Sequence, residues 1–202
     1  MKIYLATDHA GFEMKEAIHL YLELEKDEIK KELEQNGLVI PDIEFVDFGA
    51  YQYDANDDYP KFISVCAGAL SADIYTGLKG NLAFVFGGSG EGEAIVADKY
   101  KGVRAGVVNS ENIELVKLLR EHNNANILSF GARFISEDFA KKAAKTFIVT
   151  RFLETEDGKE TRHERRIEEI DELENEVDLK INAEELSELK LFEEMKKERD
   201  DN

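Results

Sequence analysis

Apolar residues recur along the chain in two alternating rhythms. Short apolar runs at Ile3 to Thr7, Phe45 to Phe48, Leu82 to Phe86, Ala105 to Val108 and Ile127 to Phe130 are separated by longer stretches with helical spacing. Runs of this length suit buried strands, and their alternation with helices predicts repeated strand-helix units around a parallel sheet. The first helix is expected from Phe12 to Gln35, closed by Asn36-Gly37. Others follow at Tyr59 to Leu70 with Pro60 in the first turn, at Gly92 to Tyr100, at Glu111 to His122 and at Glu137 to Phe152. The last opens on Ser136 as N-cap with Glu137 and Asp138 beside it. Five strands and five helices make a three-layer α/β/α sandwich. Its ligands should collect at the carboxyl ends of the strands, which selects Asp8-His9, the glycine loop after the third strand, Asn109-Ser110 and Gly131 to Arg133.

Two stretches stand outside that plan. The charged segment Glu23 to Gln35 lengthens the first helix and reads as a solvated extension. The tail after Asn175 places Leu186, Leu189 and Phe192 in a Glu/Lys-rich helical pattern, a weak amphipathic face that could dock on the body or a partner.

Composition narrows the picture. With 202 residues, 43% of them hydrophobic, one main α/β domain with a substantial core is expected. No apolar run approaches the roughly 18 residues of a membrane span, and the N-terminus lacks a signal-like apolar block, so a soluble cytoplasmic protein is expected. The single cysteine, Cys66, excludes an internal disulfide, and its neighbours read as a helix interior holding an inert thiol. A formal charge of -18 argues against nucleic acid or an anionic membrane as partner, so any anionic ligand must meet a local cluster of cations. From Leu153 to the end there are 20 acidic and 9 basic residues, a shift in character that divides the chain into a core (1–152), a helical arm (153–175) and an acidic helical tail (176–202).

The stretch Gly87-Gly88-Ser89-Gly90-Glu91-Gly92-Glu93 carries the densest chemistry. It has neither the spacing of a dinucleotide fingerprint nor the Gly-Lys-Ser/Thr of a P-loop. Glycines could serve only a tight strand-to-helix turn. Four within six residues also suit backbone N–H groups held open as an oxyanion hole, each donor being worth roughly 3 kcal/mol. Glu93, just inside the helix, could reach back over the loop as a base, whereas Glu91 between two glycines should face solvent. Both glutamates could equally be there for helix-terminal electrostatics.

Elsewhere, Asp8-His9 could be an acid/base pair or a helix cap. His122 could be a histidine favoured by a helix C-terminus. Arg162 and Arg166, at i and i+4 with His163 and Arg165 adjacent, form the densest basic cluster in an acidic chain. Two forked guanidiniums on one face suit a phosphate, although a solvated charged helix has the same pattern.

Taken together, "ATDHAGFEMK", "DDYP", "GGSGEGEAIVADK", "REHNNANILSFGAR" and "RHERRIEEI" resemble the type B ribose-5-phosphate isomerases, a family that includes galactose-6-phosphate and allose-6-phosphate isomerases. The resemblance spans residues 1 to about 172, apart from the extended first helix. It implies a Rossmann-like α/β/α fold and a metal-free, cofactor-free homodimer or tetramer whose active sites lie at the subunit interface. It also implies interconversion of D-ribose 5-phosphate and D-ribulose 5-phosphate through a cis-enediolate, with a six-carbon sugar-phosphate isomerase or a non-catalytic sugar-phosphate-binding module as alternatives. By the same resemblance, Asp8, His9 and Arg133 line the sugar-phosphate site, with Tyr59 beside it, and Gly88, Gly90 and Gly92 form the anion hole. Ser89 steadies the enediolate, His122 opens the sugar ring, Asn123 contacts the sugar, and Arg162 and Arg166 reach the phosphate from the opposite subunit. Many members carry a catalytic cysteine where this chain has Gly87, and a second branch uses a glutamate that corresponds to Glu93.

Overall fold

A computed structural model describes residues 1–156 and 159–175; the acidic tail, with Leu186, Leu189 and Phe192, lies outside the described residues. The chain divides into two compact units, Met1–Leu153 and Glu154–Asn202.

The first unit runs β1 (Lys2–Thr7), α1 (Phe12–Gln35), β2 (Glu44–Asp47), α2 (Tyr59–Tyr75), β3 (Leu82–Gly87), α3 (Glu91–Ala97), β4 (Ala105–Val108), α4 (Ile113–Glu121), β5 (Ile127–Gly131) and α5 (Glu137–Val149). All five strands are parallel, in the order β2-β1-β3-β5-β4. Helices cover both faces, as the apolar runs required. On one face α1, α4 and α5 bury Ile18, Leu22, Val116, Ala144 and Phe147 against Phe84, Phe86 and Phe130 of the sheet. On the other, Ile63, Cys66 and Leu70 of α2 and Ala97 of α3 pack on Tyr4, Ala6, Ala83 and Val85. Cys66 is fully buried, and desolvation pushes its thiol far above the ordinary range.

Several boundaries move. Helix α2 continues one turn past Leu70, to Tyr75, where Gly77 with φ of 81° ends it. Helix α3 stops at Ala97, before the expected Tyr100. There the Asp98 carboxylate turns away to accept the Ala105 N–H (2.8 Å), tying the chain to the start of β4. Helix α4 begins at Ile113 because the Asn112 side chain caps it by accepting from the Glu114 N–H. Helix α5 ends at Val149, before Phe152, and the C-cap Thr150 is already extended.

The charged end of α1 is also not merely solvated. Ile29 and Leu33 are buried in the core, and the Glu32 carboxylate meets Lys145 of α5 at 3.2 Å. Two apolar positions one helical turn apart suffice to hold an otherwise charged helix against a neighbour.

The second unit begins with a short antiparallel pair, β6 (Thr155–Glu156) and β7 (Lys159–Glu160), and continues into a helix, α6, over 162–175. Thr161 caps α6, its hydroxyl accepting from the backbone N–H groups of His163 and Glu164 at 3.2 Å each. No helix among the described residues is long and apolar enough to cross a membrane.

Candidate active site

The chain enters the sheet at β1, moves outward to β2 and then crosses back to β3. The strand connections therefore part between β1 and β3, and a crevice opens above their carboxyl ends. The loops Asp8-His9 and Gly87 to Gly92 flank this point.

The glycine loop is shaped by two close approaches. A Cβ on Gly90, whose φ is 79°, would lie 3.1 Å from the Gly131 backbone nitrogen, and the Ser129 hydroxyl donates to the Gly90 carbonyl at 2.6 Å. The Gly87 and Gly88 carbonyls accept from the N–H groups of Ala132 (2.9 Å) and Arg133 (3.1 Å). The Gly87 and Gly88 carbonyls are thus consumed by the turn after β5, and that of Gly90 by β5 and α3. The backbone N–H groups of Gly88, Ser89 and Gly90, by contrast, have no acceptor among the described residues. A loop with three carbonyls engaged and three N–H groups open has the polarity of an anion hole.

Glu93 folds back over this loop. It is only 4% exposed, and a Cβ on Gly87 would lie 1.9 Å from its carboxyl oxygen Oε1, so the carboxyl group fills the space that any side chain at position 87 would need. The observed position of the Glu93 carboxyl and a side chain at 87 are therefore alternatives in space. Burial raises the Glu93 carboxyl above its usual range, the negative charge of Asp8 adds to the rise, and a backbone N–H partly offsets it. Glu91 is exposed and accepts from the Asn109 side chain (2.9 Å), a contact that ties α3 to the loop after β4. The Ser89 hydroxyl accepts from the Glu91 N–H at 3.3 Å.

Two side chains close over the glycines. The Tyr59 phenol lies 2.8 Å from where a Gly92 Cβ would stand, and the Arg133 guanidinium lies 3.1 Å from the corresponding point on Gly88. Arg133 is exposed, and its guanidinium has no hydrogen bond or ion pair among the described residues.

Asp8 and His9 do not cap α1. The N-cap is Gly11, with no side-chain cap bond, and Asp8 instead accepts from the Ala10 N–H at 2.9 Å in a local turn. Gly11 is required because a Cβ there would lie 2.6 Å from the Phe86 backbone, at the end of β3. His9 is held by Asp57, a residue that the sequence reading passed over. Asp57 Oδ1 accepts from both the His9 backbone N–H and the ring Nδ1, each at 2.8 Å. Asp57 stands within "DDYP", but 48 residues separate it from His9, and no local spacing connects them. Asp8, His9 and Asp57 bring potential ligand atoms within 4.8 Å of one another, but the His9 Nδ1 and Asp57 Oδ1 are already bonded to each other, so the group is an acid–imidazole cluster.

Not every expected residue gathers here. His122 is the C-cap of α4, and Asn123 follows it, so both precede β5 at the amino end of the sheet. Gly87 and Gly131 pair at the opposite end, roughly 15 Å away by the rise of a five-residue strand. One chain cannot bring His122 to its own Glu93. Arg162 and Arg166 are exposed on α6 of the second unit.

Residues 3–170 match the family described as Ribose/Galactose Isomerase. The chain is 38% identical over 176 residues to ribose-5-phosphate isomerase B of Mycolicibacterium paratuberculosis, covering 86% of this chain and 92% of that one. Among solved structures it is similar to ribose-5-phosphate isomerase B of Mycoplasma genitalium with bound ribulose-5-phosphate. That likeness has a TM-score of 0.64 and 30% identity over 87% of this chain and 97% of the other. It is likewise similar to the type B ribose 5-phosphate isomerase of Trypanosoma cruzi, with a TM-score of 0.68 and 28% identity over 87% and 99%.

Proposed function

The chain belongs to the ribose/galactose isomerase family and is a sugar-phosphate isomerase, and from that premise we propose that it interconverts D-ribose 5-phosphate and D-ribulose 5-phosphate with Glu93 as the base. Glu93 takes the proton from the carbon beside the aldehyde, leaving a cis-enediolate, and returns it to the neighbouring carbon. One proton also changes place between the two adjacent oxygens, so the sugar is isomerised without net gain or loss. The Gly88 to Gly92 loop meets the developing oxyanion through its open N–H groups at Gly88, Ser89 and Gly90, with the Ser89 hydroxyl beside them, and Tyr59 and Arg133 wall the sugar. The observation that carries this reading is the buried Glu93 carboxyl lying against Gly87, beside a loop whose backbone donors are open. A base whose ionised form is disfavoured by burial is a stronger proton acceptor than a solvated carboxylate.

The separation of His122 and Asn123 from Glu93 along one sheet supports a site completed by a second copy of the chain. In this reading His122 opens the ring, Asn123 contacts the sugar, and Arg162 and Arg166 hold the phosphate, all from the partner. Fixing the non-reacting phosphate end keeps the reacting carbons near the base.

A coupled isomerase assay on Glu93→Gln tests the assignment. The expected kcat is lower by about 10³-fold with an unchanged circular dichroism spectrum; turnover at the parental rate would remove Glu93 from the reaction.

A further inference from the structure

We propose that Asp57 is a positioning residue of this site: it grips His9 by Nδ1 and by the backbone, so that Nε2 faces outward as the donor of a cationic acid–imidazole dyad. The role rests on the isomerase reading above, since it gives the dyad a substrate oxygen to meet.

The hydrogen-bond arithmetic is restrictive. An ionised carboxylate only accepts, and Oδ1 of Asp57 faces the His9 backbone nitrogen and the ring Nδ1 at 2.8 Å each, so Nδ1 carries a proton. Nε2, on the opposite edge of the ring, has no partner among the described residues, and the ring keeps 28% of its surface exposed. Asp57 is itself held in place by a turn in which its N–H donates to the Asp54 carbonyl at 3.0 Å. Its second oxygen, Oδ2, is buried with no hydrogen-bond partner among the described residues. A mostly buried carboxylate with one oxygen unsatisfied needs a nearby positive charge, and His9 is the group in contact with it.

The other groups facing His9 act in the same direction or are neutral. The Asp8 carboxylate lies 3.9 Å from Nδ1, and the Tyr53 ring stands edge-on at 6.3 Å between centroids. The Asp57 hydrogen bond is the largest influence raising the His9 pKa above its ordinary value. Partial burial opposes it, and the charges of Asp8 and Asp57 reinforce it. The same Asp8 charge raises Glu93, so the two titrating groups share one neighbour that favours the protonated form of each, the neutral carboxyl and the cationic imidazole.

The test uses the full chain with isotopically labelled histidine, the His9 signal being assigned by its loss in His9→Gln. In the parent, the His9 ring should titrate above about 6.5, and in Asp57→Asn it should fall toward that value. The asparagine variant should lower kcat/KM by about tenfold and Asp57→Glu should restore part of the loss, whereas in the His9→Gln background Asp57→Asn should cost less than about twofold. A parental His9 that titrates at or below its ordinary value overturns the proposal, and this holds even if Asp57→Asn does not fold. An equal cost of Asp57→Asn with and without His9 also overturns it, because a purely structural role would not depend on the imidazole. The ring titration needs no turnover, so a parent that failed to isomerise ribose 5-phosphate would sink the functional reading and leave the dyad to be judged separately.

Discussion

Lys15 and Glu93 are both buried charged side chains set by the first turn of a helix at the carboxyl end of the sheet, and the protein treats them in opposite ways. Lys15 is fully buried, but its ammonium donates to the Asp47 carboxylate and the Ala50 carbonyl (2.9 Å) and pairs with Glu16 (3.0 Å). The rings of Phe12 and Tyr51 lie within 6 Å of it, at 5.8 and 5.9 Å. Two hydrogen bonds and an ion pair hold the ammonium, and the result ties α1 to the loop after β2. Glu93 has no cationic partner among the described residues, and burial opposes its ionisation. A satisfied buried charge is architecture, whereas one kept short of partners beside open donors is poised for chemistry.

The contrast can be broken at either end. The largest expected effect on stability comes from Lys15→Met, which strips Asp47 of its buried partner and should cost about 3 kcal/mol in denaturant unfolding. A loss below about 1 kcal/mol would mean that Lys15 contributes no more than a surface ion pair. Next comes Gly87→Ala. The added methyl collides with the far end of the flexible Glu93 side chain, so the melting temperature should hardly change while kcat/KM falls about 100-fold from misplacement of the base. Parental activity in that variant would show that the observed Glu93 position is not the reactive one.

A smaller effect is a gain in stability. Because the folded Glu93 carboxyl titrates above its unfolded value, ionising it costs more in the folded state. The parent therefore loses stability as pH rises from about 4.3 through the raised folded value. Glu93→Gln removes that penalty. Thermal melts should show the variant more stable than the parent at pH 7.5 and indistinguishable from it at pH 4; the reverse order would mean that the carboxylate is stabilised in place. The smallest effect belongs to Cys66→Ala, whose kcat/KM should stay within about twofold of the parent, because the thiol is fully buried among apolar side chains between α2 and the sheet and burial keeps it protonated.

Much of this molecule was legible beforehand. The five apolar runs named the five strands, and Asn36-Gly37 and Ser136 marked helix ends that the structure keeps. Glu93, the glycines and Arg133 could be singled out because they lie on loops that strand polarity sends to one edge. Asp57 could not, because its meaning depends on a contact with His9 across 48 residues. The burial of Ile29 and Leu33 was masked by the charged residues around them, and only the packing of α1 on α5 brought it out.

The sequence by itself determined the α/β/α architecture, the edge at which ligands gather and the residue types available there, because hydrophobic period and turn chemistry are local properties of the chain. Tertiary structure alone decided that Glu93 fills the space beside Gly87, that Asp57 holds His9, and that His122 lies at the far end of the sheet from Glu93. Those are relations among distant segments, and they arise only when the parallel crossovers set strand neighbours side by side and close packing leaves each cavity room for one group.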